Sequence, residues 1–233
     1  MGGAGSVGTI FEISPTGALT TLYSFCAQTN CADGAYAAAG VVQGTDGNFY
    51  GTTEQGGTGN NCSTGCGTVF RLSAELGPFV ETLPAFGKVG STIRILGTNL
   101  TGASSVSFNG TAALFTVVSA SQLSTTVPDA ATAGQVQVTT PGGTLSSNLA
   151  FRVTPVILSF SPPSGPAGTA VVITGQSLTG ATSVTFGGVR AAKFAVNSNT
   201  QITATVPAKA KTGTIGVTTP GGTATSAGTF TVN

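Results

Sequence analysis

Of the 233 residues only 15 are charged, 8 Lys or Arg against 7 Asp or Glu, and His and Trp are absent. An ordinary soluble domain carries about a quarter charged residues, so the composition excludes disordered acidic or basic tails and charged coiled coils, and a net charge of +1 argues against a basic nucleic-acid binder. Gly supplies 35 residues and Ser plus Thr 61, the make-up of a β-rich chain whose surface is hydroxyl and backbone.

The N-terminus, MGGAGSVGTIF, has neither the basic nor the apolar region of a signal peptide. The chain starts inside a repeat, so the expectation is a part of a longer polypeptide with its export signal upstream. Gly8-Thr-Ile-Phe-Glu-Ile-Ser14 recurs as Gly67-Thr-Val-Phe-Arg-Leu-Ser73 at an offset of 59. Between them, Leu19–Phe25 and Gly44–Thr53 read as further strands, with Asp46-Gly47 as a hairpin turn. Cys26, Cys31, Cys62 and Cys66 cluster in polar, loop-like sequence. An even number of cysteines in loops favours disulfides and an oxidising compartment, with three connectivities open. A four-cysteine zinc site is the rival, although it usually wants two-residue spacings.

From about residue 77 the pattern changes. Gly97-Thr-Asn-Leu-Thr-Gly-Ala-Ser-Ser-Val-Ser-Phe-Asn-Gly110 matches Gly175-Gln-Ser-Leu-Thr-Gly-Ala-Thr-Ser-Val-Thr-Phe-Gly-Gly188 at an offset of 78. Val138-Thr-Thr-Pro-Gly-Gly143 recurs as Val217-Thr-Thr-Pro-Gly-Gly222 at 79, one residue having been gained between Gly188 and Val206. Near-identity broken by one insertion marks two copies of one domain, 77–153 and 154–233, after a different segment, 1–76. In the first copy strands are expected at Thr92–Ile95, Val106–Phe108, Gln122–Val127, Gln135–Val138 and Ala150–Val153. The second offers Val171–Thr174, Val184–Phe186, Gln201–Val206, Thr214–Val217 and Thr229–Val232. Phe108, Leu123, Val127, Val136, Val138, Phe151 and Val153 share one face, as in a two-sheet sandwich with one dry face per sheet. Asn109-Gly110 and Gly187-Gly188 signal type I′ hairpins, and Pro-Gly-Gly at 141–143 and 220–222 closes another. The best apolar run, Pro155–Phe160, is strand-length, far short of the ~20 residues of a membrane helix.

The two copies resemble IPT/TIG domains, the immunoglobulin-like modules of plexins, some transcription factors and many bacterial surface proteins. Three blocks carry the resemblance in the second copy: Pro155-Val-Ile-Leu-Ser-Phe-Ser-Pro-Pro-Ser-Gly-Pro-Ala-Gly168, Val171-Val-Ile-Thr-Gly-Gln-Ser-Leu178 and Val184-Thr-Phe-Gly-Gly188. Gly77–Gly90 is a looser version of the first block. The GTxF and YGTT blocks of residues 1–76 resemble GloVer-type tandem repeats of secreted bacterial proteins, which implies a propeller-like β-repeat. One repeat out of an array exposes strand edges, so this third is expected to be the least stable. The fold class expected is all-β, two tandem immunoglobulin-like sandwiches after a partial propeller-like segment.

Chemistry is scarce. Without His the usual Ser-His and Cys-His nucleophiles cannot be built. A glycosidase pair would have to come from seven carboxylates; Asp46 and Glu54 flank one hairpin and could approach each other, although Asp46 has a sufficient role in its turn. Gly3-Ala-Gly-Ser-Val-Gly8 fits GxGxxG but leads into a strand, whereas a dinucleotide site opens a helix. Asp33-Gly34 and Asp46-Gly47-Asn48 lack the alternating oxygen ligands of a calcium loop. Asn61, Asn99 and Asn109 head glycosylation sequons of the kind chance produces in so Thr-rich a chain. Tyr23, Phe25, Tyr36, Phe49 and Tyr50 read first as packing core and second as a sugar-stacking cluster. Arg190, Lys193, Lys209 and Lys211 read as solvated loops before they read as a site for an anionic polymer.

No catalytic, cofactor or metal residue is assigned. The expected function is a non-enzymatic, extracellular or cell-surface structural or binding module of a larger bacterial protein: a spacer, adhesion, or glycan- or protein-binding part, with no nucleic acid partner, no membrane span and no cofactor. The rival is the C-terminal accessory part of a secreted carbohydrate-active enzyme. The charge is graded along the chain, from net −4 over residues 1–76 to +4 over residues 154–233.

Overall fold

Short apolar–hydroxyl alternations give short strands throughout, and the one helical turn among the described residues is the 3-10 turn Thr29–Cys31. The computed structural model describes residues 6–59 and 62–233. Asn61 and the first residues of the GxGxxG match lie outside them. Contacts divide the chain into two compact units, Met1–Gly77 and Pro78–Asn233.

In the first unit β1 (Thr9–Ile13) and β2 (Leu19–Ser24) form an antiparallel ribbon. β3 (Val42–Gln43), β4 (Phe49–Thr52) and β5 (Val69–Leu72) form a separate sheet in the order β3-β4-β5. Gly47 turns the β3–β4 hairpin at φ +87°, and the Asp46 carboxylate accepts the Asn48 amide. Phe25 is the large buried side chain here, edge-on to Tyr23 at 5.3 Å and to Phe70 at 5.0 Å. Gly51 is required opposite Phe70, whose ring lies where a Cβ would stand.

The second unit holds the two sandwiches. The first comprises β6 (Glu81–Leu83), β7 (Phe86–Gly87), β8 (Thr92–Leu96), β9 (Ser105–Phe108), β10 (Thr111–Ala113), β11 (Phe115–Ser119), β12 (Gln122–Thr126), β13 (Val136–Thr140), β14 (Gly143–Ser146) and β15 (Arg152–Val153). Sheet β11-β12-β8-β6 faces sheet β10-β9-β13-β14, and β15 pairs in parallel with β7. The second comprises β16 (Val156–Ser161), β17 (Ser164–Gly165), β18 (Ala170–Gln176), β19 (Ser183–Phe186), β20 (Val189–Arg190), β21 (Phe194–Ser198), β22 (Gln201–Thr205), β23 (Gly213–Thr219) and β24 (Gly222–Val232). Its sheets run β16-β18-β22-β21 and β17-β24-β23-β19-β20, the same order strand for strand. In each copy the leading strand breaks at a cis proline, Pro84 or Pro162, and resumes paired with the last strand, as the β7–β15 ribbon in the first copy and as β17 of the facing sheet in the second.

All seven residues assigned to the dry face of the first copy are buried. Each sandwich closes its own core, around Ile93, Phe108, Leu123 and Phe151 in one and Ile173, Phe186, Ile202 and Phe230 in the other. Asn109 and Gly110 both take positive φ, as do Gly187 and Gly188, the backbone of a type I′ turn.

The strands with no expected range of their own are β6, β7, β11, β17 and β21; β16 falls in the block Pro155–Gly168, β24 contains the expected Thr229–Val232, and β10, β14 and β20 follow the expected hairpin turns. β11 and β21 are edge strands exposed on both faces after their first residue, so they show no alternation to read. Where β24 runs unbroken, its counterpart is interrupted after Ser146 and resumes as β15. At this place each copy buries a serine. The Ser147 Oγ accepts the Val136 amide at 3.0 Å and donates to the Leu149 carbonyl at 2.6 Å. Ser226 does the same for Ile215 at 2.9 Å and Gly228 at 2.6 Å.

Candidate functional site

A cleft of about 310 Å³ lies in the first unit along β5 and is lined by Tyr23, Phe25, Asp33, Phe70 and Arg71 among others. Its polar centre is built from the cysteine loop. Cys26 is bonded to Cys31, and the enclosed residues Ala27 and Gln28 donate their amides to the Asp33 carboxylate at 3.0 and 3.1 Å. The Tyr23 hydroxyl, at the end of β2, donates to the same carboxylate at 2.7 Å. Partial desolvation works to raise the Asp33 carboxyl, but the three donors together outweigh it and hold it below its usual value. The same bond from Tyr23 raises the phenol. Near neutral pH the cleft therefore presents a fixed carboxylate and a neutral phenol, with Arg71 among its lining residues.

The loop that carries Asp33 is strained. Cys26, Asn30, Cys31 and Tyr36 all adopt left-handed φ between 52° and 62°, at about 1–3 kcal/mol each for residues other than Gly. The disulfide and the three bonds to Asp33 keep it in place. Beneath it Gly34 packs on Thr53 and Thr68, whose hydroxyls lie 2.9 Å apart and leave no room for a Cβ.

Of the three possible connectivities, the structure has Cys26–Cys31 and Cys62–Cys66. Asp46 and Glu54 stand at opposite ends of β4, whose four residues alone span roughly 13 Å. That exceeds the roughly 5–10 Å of a catalytic carboxylate pair, so the two acids, which could have approached each other across one hairpin, are kept apart by the strand between them. Asp46 is engaged elsewhere. It accepts the Tyr50 hydroxyl at 2.7 Å and the Asn48 side chain at 2.8 Å, and these bonds hold its carboxyl below the usual range. The aromatic cluster divides: Phe25 is buried, Tyr23 and Phe49 are half-buried, and Tyr36 and Tyr50 are at the surface. Phe25 is thus the packing core of the cluster, with the Tyr23 ring edge-on against it. Short loops cannot cover five rings in a unit with two small sheets.

Of the basic residues of the last domain, Arg190 is turned onto the Thr182 carbonyl at 2.8 Å. Lys193, Lys209 and Lys211 are exposed on loops. The Asn109 side-chain amide is occupied by Thr132 at 2.8 Å and Ala133 at 3.2 Å. Asp33 was legible only as an acid next to a glycine. That it follows Cys31 by two residues, with Tyr23 three before Cys26, is the signal that could have marked the cleft. Arg71, the single base of residues 1–76, carried no such mark.

A family model described as IPT/TIG domain matches residues 79–153 and 155–232. Among solved structures the chain is similar to SGBP-B from a xyloglucan utilization locus in Bacteroides uniformis, 24% identical, over 65% of this chain and 48% of that one, with a TM-score of 0.32. It is similar to the surface glycan-binding protein PbSGBP-B from Prevotella bryantii, 20% identical, over 68% and 40% of the two chains, with a TM-score of 0.43. Plexin A4 is 22% identical over 66% and 18%, with a TM-score of 0.33. The chain spans less than half the length of each. No curated protein matches it.

Proposed function

Because the chain belongs to the IPT/TIG domain family, we propose that it is a non-enzymatic module of a larger bacterial surface or secreted protein, in which the tandem sandwiches act as a stiff spacer. The observation that carries this reading is the joint between them. Gly221, in the β23–β24 turn, packs against the backbone of Val153 and Thr154, with the Val153 carbonyl where a Cβ would stand. Ser177 of the second sandwich is buried and its hydroxyl reaches the Ala131 carbonyl of the first at 3.5 Å. Pro155 follows with its φ fixed. A joint packed on both sides resists bending.

The acid of the cleft supports binding over catalysis. A general acid working near neutrality needs a raised carboxyl pKa, and Asp33 is lowered. A carboxylate, a phenol, a guanidinium and ring edges suit a polar ligand, and a cell-surface glycan or a protein is the partner we infer. The disulfides favour an oxidising compartment. The first unit we read as part of a GloVer-type repeat array.

Two measurements test this. Spin labels on the two sandwiches should give one narrow distance distribution, and a broad one would remove the spacer. A glycan array beside a hydrolysis screen should find binding without turnover; cleavage that disappears in Glu54→Gln would establish the enzyme instead.

A further inference from the structure

The 59-residue offset makes β1 and β5 the same strand of successive repeats, Thr9–Ser14 corresponding to Thr68–Ser73. They are paired differently. Among the described residues β1 pairs with β2 alone, and β5 with β4 alone. Superposing the equivalent strands gives one antiparallel sheet of four, β3-β4-(β5 or β1)-β2, of which each half of the unit shows a part. Exposure follows the missing neighbour. Phe70 and Leu72, opposite Gly51 and Phe49 of β4, are half-buried; their counterparts Phe11 and Ile13 are 53% and 63% exposed. In the reverse sense Ile10, opposite Tyr23 of β2, is half-buried, and its counterpart Val69 is 79% exposed.

Resting on the reading of the first unit as part of a repeat array, we propose that the free edge of β1 is the docking site for a strand of the β4 type, Phe-Tyr-Gly-Thr, supplied by a further copy of the repeat ahead of β1 in the same polypeptide. Each sheet is then shared between two repeats, and the Gly of the incoming strand gives the Phe11 ring the seat that Gly51 gives Phe70. Main-chain bonds along the edge supply affinity, and the Gly opposite Phe11 sets the register.

The test is a chain in which residues 8–66 are repeated once ahead of residue 8. By the pairing of Tyr50 with Arg71, Tyr50 of the added copy falls opposite the original Glu12, at the spacing of about 5 Å that a disulfide can bridge. With Tyr50→Cys in the added copy and Glu12→Cys in the original, nearly all of the pair should bridge under mild oxidation, mapped by digestion and mass. A control with Phe11→Cys in place of Glu12→Cys points to the other face and should stay reduced. Bridging of both pairs alike, or of neither while the native disulfides form, overturns the proposal. Failure of the longer chain to fold also overturns it, since covering this edge is expected to raise the melting temperature of the first unit.

Discussion

At the residue scale, the polar groups that matter are those whose partners are the backbone of their own loops. Asp33 holds the strained cysteine loop through a carboxyl lowered by its donors. On acidification the unfolded chain takes up that proton first. The stabilisation is therefore full above about pH 5 and is lost as the pH falls through the folded value. Asp33→Asn should flatten the acid limb of the first unit's stability profile, and Tyr23→Phe should bring the carboxyl closer to its ordinary titration by NMR. An unchanged limb in Asp33→Asn would show that Asp33 is not coupled to folding. The paired serines make a second prediction. Ser147→Ala and Ser226→Ala each leave a buried amide of the adjoining strand without its acceptor, at about 1–3 kcal/mol. Urea titration should show each loss confined to its own sandwich. Neither serine was legible in the sequence, where a Ser among many reads as surface.

At the scale of the element, identical motifs do different jobs. The Pro-Gly-Gly turns at 141–143 and 220–222 match residue for residue, and each is braced by a threonine hydroxyl accepting the middle Gly amide, Thr140 at 3.2 Å and Thr219 at 3.1 Å. A Cβ on Gly142 would meet only the Thr140 hydroxyl at 3.7 Å, whereas on Gly221 it would strike the Val153 carbonyl. Gly142→Ala should leave proteolysis at Thr154–Pro155 unchanged, and Gly221→Ala should accelerate it and broaden the interdomain distances. Equal behaviour of the two variants would mean that the turn does not hold the joint. The strands with one dry face were legible from alternation, because burial acts on every second residue. The edge strands β11 and β21 were not, since their exposed faces leave hydroxyl and apolar residues interchangeable.

The whole molecule divides by how its parts are stabilised. The sandwiches contain no cysteine and close two full cores. The first unit buries little and carries both disulfides, whose short loops are worth about 2 kcal/mol each by chain entropy. Calorimetry should resolve a lower transition for the first unit, and reductant should move that transition alone, with an intact-mass gain of four hydrogens. A shift of the upper transition on reduction would contradict this division.

What the sequence determined by itself is what repetition and alternation encode. These are the all-β class, the two tandem sandwiches and their dry faces, the hairpin turns, and the poverty of ionisable groups that argues against an active site. Only the tertiary structure decided which cysteines join, that Asp46 and Glu54 lie apart, that Asp33 and Tyr23 meet across the cysteine loop, and that Gly221 rather than Gly142 packs on a linker. The reason is physical. Alternation records burial, which each residue carries locally, whereas a hydrogen bond or a close approach belongs to two places in the chain and leaves no mark on either alone.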